Sequence, residues 1–253
     1  MTVKQLYKIL DEKIPKALSC EWDNDGLMCC PDADRQVRRV LLALDVTKEV
    51  VCAATEGGYD LIVSHHPFIF KGLKSLDEDN YISEKAIMLI KSGISVFSFH
   101  TRLDCVAGGV NDTLASLLGL ENVTPFGEGD IGRIGELREP VGCFELAERL
   151  KKATCAEGVF AADGGVLCHR VAVLGGNGSD ELYEAIAAGA DTYISGTLSY
   201  HGMTDAADMG INLIEGGHFY TENPVLSVLK QMIEDICADI HCDLFFSNKI
   251  KLI

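Results

Sequence analysis

Short apolar runs alternate with helical patterns along this chain, and this alternation constrains its fold more than any other feature. The elements predicted for the first half are strand 37–45, helix 47–55, strand 60–64, helix 83–91, strand 94–99 and helix 110–118. Thr47 is the predicted N-cap of the first of these helices. Parallel strands need long crossover connections, which are usually helices, so the pattern predicts an α/β fold with mainly parallel sheets.

The second half repeats the same order of elements. At an offset of 131 residues the chain matches itself at six pairs: Arg39/Arg170, Val40/Val171, Ala54/Ala185, Gly58/Gly189, Asp60/Asp191 and Ser64/Ser195. Strands 94–99 and 211–216 correspond as well. Chance and the common packing of βαβ units also produce such matches, so a duplication and a shared architecture both remain open. We expect two internally related lobes, 1–126 and 127–253, with a Gly- and charge-rich linker at about 124–140.

The charge balance narrows the classes of partner. Lys and Arg number 22 against 38 Asp and Glu, a formal net charge of 22 − 38 = −16, which disfavours a broad nucleic-acid surface. No apolar run approaches the roughly 18 residues of a membrane span, so we expect no membrane partner. The N-terminal pattern carries charges unlike those of a secretory signal, and the ten cysteines are expected to be reduced thiols in the cytoplasm.

A His-His-Pro sequence follows the second predicted strand. Because side chains alternate along a strand, His65 and His66 can meet one site only if the strand ends there, or if they serve two neighbouring ions. Taken alone, the pair is more simply explained as surface histidines before a loop.

Two further groups follow strand ends. Asp104 comes after strand 94–99, where a carboxylate can bridge two cations, although it could equally be a loop or helix-cap residue. His218 and Glu222, four residues apart, follow the equivalent strand of the second half and share one face if a helix begins there. Such His/carboxylate sets suit Zn²⁺ or Fe²⁺, so the three groups together predict a metal site.

The run Gly175–Ser179 resembles a phosphate-binding loop. It lacks the third glycine of the dinucleotide fingerprint and the Lys-Ser/Thr of a P-loop, so a tight turn with Ser179 as a helix N-cap is the favoured interpretation.

Ordered motifs across nearly the whole chain resemble those of the NIF-three-like family, whose members are often catalogued as GTP cyclohydrolase 1 type 2 homologues. The motifs are Trp22-Asp23-Asn24-Asp25-Gly26-Leu27, Ser64-His65-His66-Pro67, His100-Thr101-Arg102-Leu103-Asp104 with Asn111, and Gly217-His218-Phe219-Tyr220-Thr221-Glu222. Asp25 stands where the family motif is variable, which adds charge but disturbs no ligand.

The resemblance implies two interlocked α/β lobes with a di-metal cleft between them, and a ring-shaped homohexamer. The ligands carried over are His65, His66, Asp104, His218 and Glu222. The chain lacks the insertion that longer members carry between their halves, so no third domain is expected.

The leading functional hypothesis is a hydrolase that uses two divalent ions, Zn, Fe or Mn, on a nucleotide or another small phosphate-bearing substrate. His100 and His201 are candidates for proton transfer or substrate contact. Ring-opening hydrolysis of a purine nucleotide is one version of this hypothesis. The alternative is a metal-binding assembly or interaction protein without turnover.

Overall fold

The computed structural model describes residues 1–246 and 248–253 and has a mixed α/β fold with two sheets. The strands are β1 Gly26–Cys29, β2 Arg39–Ala43, β3 Leu61–Ser64, β4 Ser95–Ser98, β5 Glu121–Phe126, β6 Gly132–Val141, β7 Phe160–Ala162, β8 Cys168–Asn177, β9 Thr192–Thr197, β10 Asn212–Glu215 and β11 His241–Phe245. The α-helices are α1 Val3–Lys13, α2 Lys48–Glu56, α3 Tyr81–Ser92, α4 Thr101–Cys105, α5 Val110–Leu117, α6 Cys143–Thr154, α7 Leu182–Ala187, α8 Tyr200–Met209, α9 His218–Glu222 and α10 Val225–Ile236.

The chain divides into two compact units, which are described separately. The first unit comprises Met1–Val106 and 226–246, and the second comprises Ala107–Val225 and Asn248–Ile253. Helix α5 therefore groups with the second unit and most of α10 with the first. These compact units have other boundaries than the predicted contiguous lobes 1–126 and 127–253. The division into those two lobes therefore stays a prediction.

The first unit contains a five-stranded sheet in the order β1-β4-β3-β2-β11. Strands β4, β3, β2 and β11 are parallel, and only the edge strand β1 is antiparallel, so the prediction of a mainly parallel sheet is correct for this unit. All four residues of β3 are buried, as expected for a central parallel strand covered on both faces. Thr47 caps α2 as predicted, because its side chain accepts a hydrogen bond from the backbone N–H of Val50.

The second unit contains a six-stranded sheet in the order β5-β6-β8-β9-β10-β7. Strands β8, β9 and β10 are parallel, whereas β5, β6 and β7 join by antiparallel pairs. The prediction of a mainly parallel sheet is therefore wrong for this unit. The predicted linker at 124–140 is also wrong, because most of that region forms β5 and β6, whose backbone groups pair within the sheet.

Matched residues of the two halves occupy equivalent positions in the two sheets. Asp60 accepts hydrogen bonds from the backbone N–H groups of Arg38 and Arg39, and Asp191 accepts them from those of His169 and Arg170, each 131 residues further along. Asp60 thereby links the start of β3 to the start of β2, and Asp191 links the start of β9 to the start of β8. The units share this local architecture whatever its origin.

Candidate metal centre

The strand β3 ends at Ser64, and this ending allows two consecutive histidines to approach one another. The backbone bends at His65 and His66, and their ring centroids lie 5.0 Å apart. The bend is held by hydrogen bonds, since His66 N–H donates to the Leu44 carbonyl at 3.0 Å and the Ser64 hydroxyl donates to the His66 carbonyl at 2.8 Å. His65 is fully buried and His66 is partly exposed.

His100 joins this pair from the end of β4. Its ring centroid lies 5.3 Å from that of His65 and 5.7 Å from that of His66. One ligand nitrogen from each of the three imidazoles falls within 4.8 Å of the others. The three side chains are thus close enough to hold a metal ion.

Hydrogen bonds to Nδ1 set the tautomer of each ring. The Nδ1 of His65 lies 2.9 Å from the Phe99 carbonyl, which can only accept, so this nitrogen carries the proton and the lone pair is on Nε2. In the other two rings a carboxylate is the acceptor for the Nδ1 proton: Asp45 lies 2.7 Å from Nδ1 of His66, and Asp23 lies 3.0 Å from Nδ1 of His100. Metal-binding histidines are typically oriented in this way by a carbonyl or carboxylate.

Asp104 lies beside the group on the short helix α4. Its Oδ1 is 3.7 Å from Nε2 of His65, and the residue is almost fully buried. The pair offers one imidazole nitrogen and one carboxylate oxygen, which are donor types that Zn²⁺, Fe²⁺ and Mn²⁺ accept.

A buried ion-pair network fixes α4. Asp25, which the sequence analysis treated as an incidental charge, accepts hydrogen bonds from the His100 backbone N–H at 3.1 Å and from Nε of Arg102 at 3.0 Å. Arg102 is fully buried and also donates to Asp11 at 2.6 Å and to the Ile14 carbonyl at 2.9 Å. Removing one charge from such a network leaves the other unpaired in the interior.

Asp23 is the second acidic residue of the same loop that acts on this site. Its side chain is buried and accepts hydrogen bonds from Nδ1 of His100 and from the backbone N–H and hydroxyl of Thr101. Burial by itself raises the pKa of the Asp23 carboxyl, but these hydrogen bonds outweigh it and hold the pKa well below its ordinary value. Asp23 is therefore ionised and favours a proton on Nδ1 of His100.

The second unit brings His218 and Glu222 together on α9. The helix begins at His218, as the spacing requires, and Nε2 of His218 lies 3.2 Å from Oε2 of Glu222. Glu222 is 4% exposed, far from the solvated state of an ordinary surface glutamate. The predicted pairing of these two side chains is confirmed within this unit.

The glycine run Gly175–Gly178 makes room for α9. A Cβ atom on Gly176 would lie 2.2 Å from Oε1 of Glu222, and one on Gly196 would lie 2.5 Å from Oγ1 of Thr221. The run belongs to the end of β8, and Glu181, rather than Ser179, is the N-cap of α7, so the interpretation as a tight turn capped by Ser179 is wrong. The absence of a side chain at Gly176 leaves the space that the Glu222 carboxylate occupies, a role that the sequence analysis did not predict.

His201 belongs to the second unit. It is exposed on α8, where its ring contacts that of Tyr200 at a centroid distance of 5.7 Å. It is therefore the weakest of the predicted site residues on geometric grounds.

Comparisons with known proteins agree with these motifs. A family model described as Duf34/NIF3 (NGG1p interacting factor 3) matches residues 1–251. A Clostridium perfringens protein named GTP cyclohydrolase 1 type 2 homolog is 33% identical over 242 residues, covering 93% of this chain and 92% of that protein.

Two solved structures show the same fold. A Staphylococcus aureus hypothetical protein, SA1388, superposes with a TM-score of 0.90 at 27% identity, over 100% of this chain and 99% of that one. A Bacillus cereus protein related to NIF3 superposes with a TM-score of 0.89 at 23% identity, over the same shares of the two chains. Among residues 1–246 and 248–253, no helix is both long and apolar enough to cross a membrane.

Proposed function

The chain belongs to the Duf34/NIF3 family, and from that premise we propose that it binds two divalent metal ions and hydrolyses a nucleotide or another small phosphate-bearing molecule. The ligands are His65, His66 and Asp104 from the first unit and His218 and Glu222 from the second. These residues form one di-metal centre in this proposal. Zn²⁺, Fe²⁺ and Mn²⁺ each fit this set of imidazole and carboxylate ligands.

The observation that carries the proposal is the common orientation of the imidazoles in the first unit. A surface cluster of histidines has no need for three separate acceptors on Nδ1, yet Phe99, Asp45 and Asp23 provide them. The acceptors on His65 and His66 leave their Nε2 lone pairs available for metal ligation, and the acceptor on His100 leaves its Nε2 available to take up a proton.

Charge explains how an acidic protein would attract a phosphate. Two divalent ions contribute +4 and the carboxylates of Asp104 and Glu222 contribute −2, so the site is formally near +2 within a chain whose net charge is −16. Ions held in this way supply Lewis-acid activation of water and of the bond under attack.

His100 is the proposed proton carrier or substrate contact. Its hydrogen bond to the ionised Asp23 keeps the proton on Nδ1 and stabilises the imidazolium that forms when Nε2 takes up a proton. His201 has the same proposed role, supported only by its position just after strand β9. The names of the relatives suggest purine ring opening as one version of the reaction, and the family resemblance suggests a homohexamer. The cytoplasm remains the proposed location, on the grounds given by the sequence.

Titration of metal-stripped protein with Zn²⁺ tests the metal assignment. Replacing Glu222 with Gln keeps its size but removes a charge beside the cations, so both affinity and stoichiometry should fall. His66→Ala should do the same with little loss of fold. Glu145→Gln is the matched control, because Glu145 is exposed on α6 of the second unit. Affinities of Glu222→Gln and His66→Ala equal to that of the parent would refute the assignment.

Asp104→Asn separates catalysis from binding alone. A screen of nucleotides and phosphoesters at defined metal loading should show turnover in the parent that is lost in this variant, while its oligomeric state is unchanged. Activity that survives the substitution would indicate a contaminating enzyme and would favour the metal-binding interaction protein.

A further inference from the structure

The loop before β1 displays the chain's single tryptophan next to the imidazole group. Trp22 is 64% exposed, and Phe70, which follows the His-His-Pro motif, is 45% exposed. Their ring centroids are 6.2 Å apart, and both rings lie near His100, at 6.2 Å and 6.5 Å. Adjacent exposed aromatic side chains, unlike singly scattered ones, are typical of binding surfaces.

Hydrogen bonds hold the backbone on both sides of Trp22, so the fold positions this residue at the surface. Before it, Cys20 N–H donates to the Thr101 hydroxyl at 2.9 Å. After it, Asp23 bonds His100 and Thr101, and the Asn24 side chain donates to the Ile69 carbonyl, next to Phe70. The last contact links the segments that carry the two rings. Such positioning is what an organised binding surface requires.

The rings of Trp22, Phe70 and His100 are steeply inclined to one another. The planes of Trp22 and Phe70 are inclined at 68°, and that of His100 is inclined at 76° to Trp22 and 88° to Phe70. A planar ring that stacks on one of these faces meets the others edge-on, and aromatic pairs favour both arrangements at such distances.

Space for the remainder of a ligand lies in a cavity that Phe70 also lines. This cavity of about 310 Å³ is lined by Phe70, His66, Asp45, Tyr81 and Lys85, among others. This volume is at the lower end of the range for small-molecule sites. A ligand with its ring on the exposed pair therefore has room for a second group beside a candidate metal ligand and a basic side chain.

We propose that Trp22 and Phe70 bind the planar aromatic ring of the substrate, so that the substrate class is a nucleobase-type heterocycle carrying a phosphate. The inference rests on the proposed function, because it assigns the substrate of the same site. Stacking on an aromatic side chain contributes about 1–3 kcal/mol per base, which corresponds to a 5- to 150-fold loss of affinity when the side chain is truncated.

Trp22 itself is the reporter for the test. Guanosine 5′-monophosphate and ribose 5-phosphate are titrated into Zn²⁺-loaded and metal-stripped protein, following Trp22 fluorescence and, for variants without tryptophan, the heat of binding. We expect the nucleotide to quench the fluorescence and to bind more tightly than the sugar phosphate. Trp22→Ala should weaken nucleotide binding about 5- to 150-fold, and Phe70→Leu should weaken it in the same direction. Tyr183→Ala, at another exposed aromatic residue, should change nothing.

Zn²⁺ stoichiometry keeps this test distinct from that of the proposed function. Trp22→Ala with parental Zn²⁺ binding and weakened nucleotide binding supports the inference. Equal affinities for the two probes, or parental nucleotide binding by Trp22→Ala, would overturn it even if Zn²⁺ binds as proposed. A Trp22→Ala protein that changes only its oligomeric state, measured by sedimentation, would also overturn it and would assign the pair to a subunit contact. Nucleotide binding that needs Trp22 in a protein that binds no Zn²⁺ would refute the metal centre and support the ring surface.

Discussion

Replacing Gly176 with Ala tests whether the position of Glu222 matters for metal binding. Gly176 has φ +71°, and a Cβ atom there would lie 2.2 Å from Oε1 of Glu222. Real Cβ atoms essentially never approach a heavy atom within 3.0 Å, so Oε1 must move by at least 3.0 − 2.2 = 0.8 Å. The substitution displaces the carboxylate without changing it chemically.

The displacement of the carboxylate should affect Zn²⁺ affinity strongly and the stability of the fold only slightly. Metal–ligand distances are kept within about 0.2 Å, so a shift of 0.8 Å in one carboxylate oxygen distorts coordination by Glu222. We expect Zn²⁺ affinity to fall at least about tenfold, equivalent to about 1.4 kcal/mol. The free energy of unfolding should fall by only about 1–2 kcal/mol, because an alanine must adopt the left-handed conformation.

Gly210→Ala is the matched control for this prediction. Gly210 has φ +67° and no atom within 4 Å of the Cβ position, so it incurs the same conformational cost without a collision. Isothermal titration with Zn²⁺ and urea unfolding are measured for both variants. If Gly176→Ala binds Zn²⁺ as the parent and Gly210→Ala do, then Glu222 is not a ligand and the reasoning is refuted.

Two further substitutions test the hydrogen bonds that shape the site and the fold. In Asp23→Asn, the donor N–H of Thr101 must face the amide oxygen, so the NH₂ group faces Nδ1 of His100 and moves the ring proton to Nε2. His100 can then no longer take up a proton at Nε2, so turnover should fall about 100- to 10,000-fold while Zn²⁺ affinity stays parental. The ¹⁵N chemical shifts of the ring should report the new tautomer, and an unchanged tautomer would contradict the geometry. For Asp60, burial raises the pKa of the carboxyl, but hydrogen bonds from Arg38, Arg39 and Arg35 outweigh it and lower the pKa below its ordinary value. The stability that it contributes is thus present above about pH 4 and lost as the pH falls through the lowered pKa. Asp60→Asn should be about 1–3 kcal/mol less stable than the parent in urea at pH 7, with a difference that narrows towards pH 3; a constant difference would contradict it.

The elements that the sequence predicts well are those with strong local signals. Thr47 is followed by a helical apolar pattern and caps α2 in the structure. The β-branched apolar residues Ile62 and Val63 in a short run favour a buried strand, and β3 is fully buried. His65 and His66 converge because β3 stops at Ser64, as the His-His-Pro sequence suggested.

The wrong predictions concern residues whose structure depends on contacts with residues far away in the sequence. The region 124–140 reads as a linker because its glycines and charges have weak strand preference, yet backbone pairing with β8 stabilises β6 there. Asp25 reads as an extra surface charge because nothing local reveals that Arg102, 77 residues away, lies buried against it. Gly176 reads as part of a turn because the glutamate that needs its space is far along the chain.

Anomalous X-ray diffraction from crystals of Zn²⁺-loaded protein, collected at energies on both sides of the zinc edge, tests the central claim most directly. The proposal predicts two zinc peaks within ligand distance of His65, His66, Asp104, His218 and Glu222, about 3.5–4 Å apart as in other two-metal sites. The absence of any zinc peak near His65 in protein that has been loaded under these conditions would contradict it.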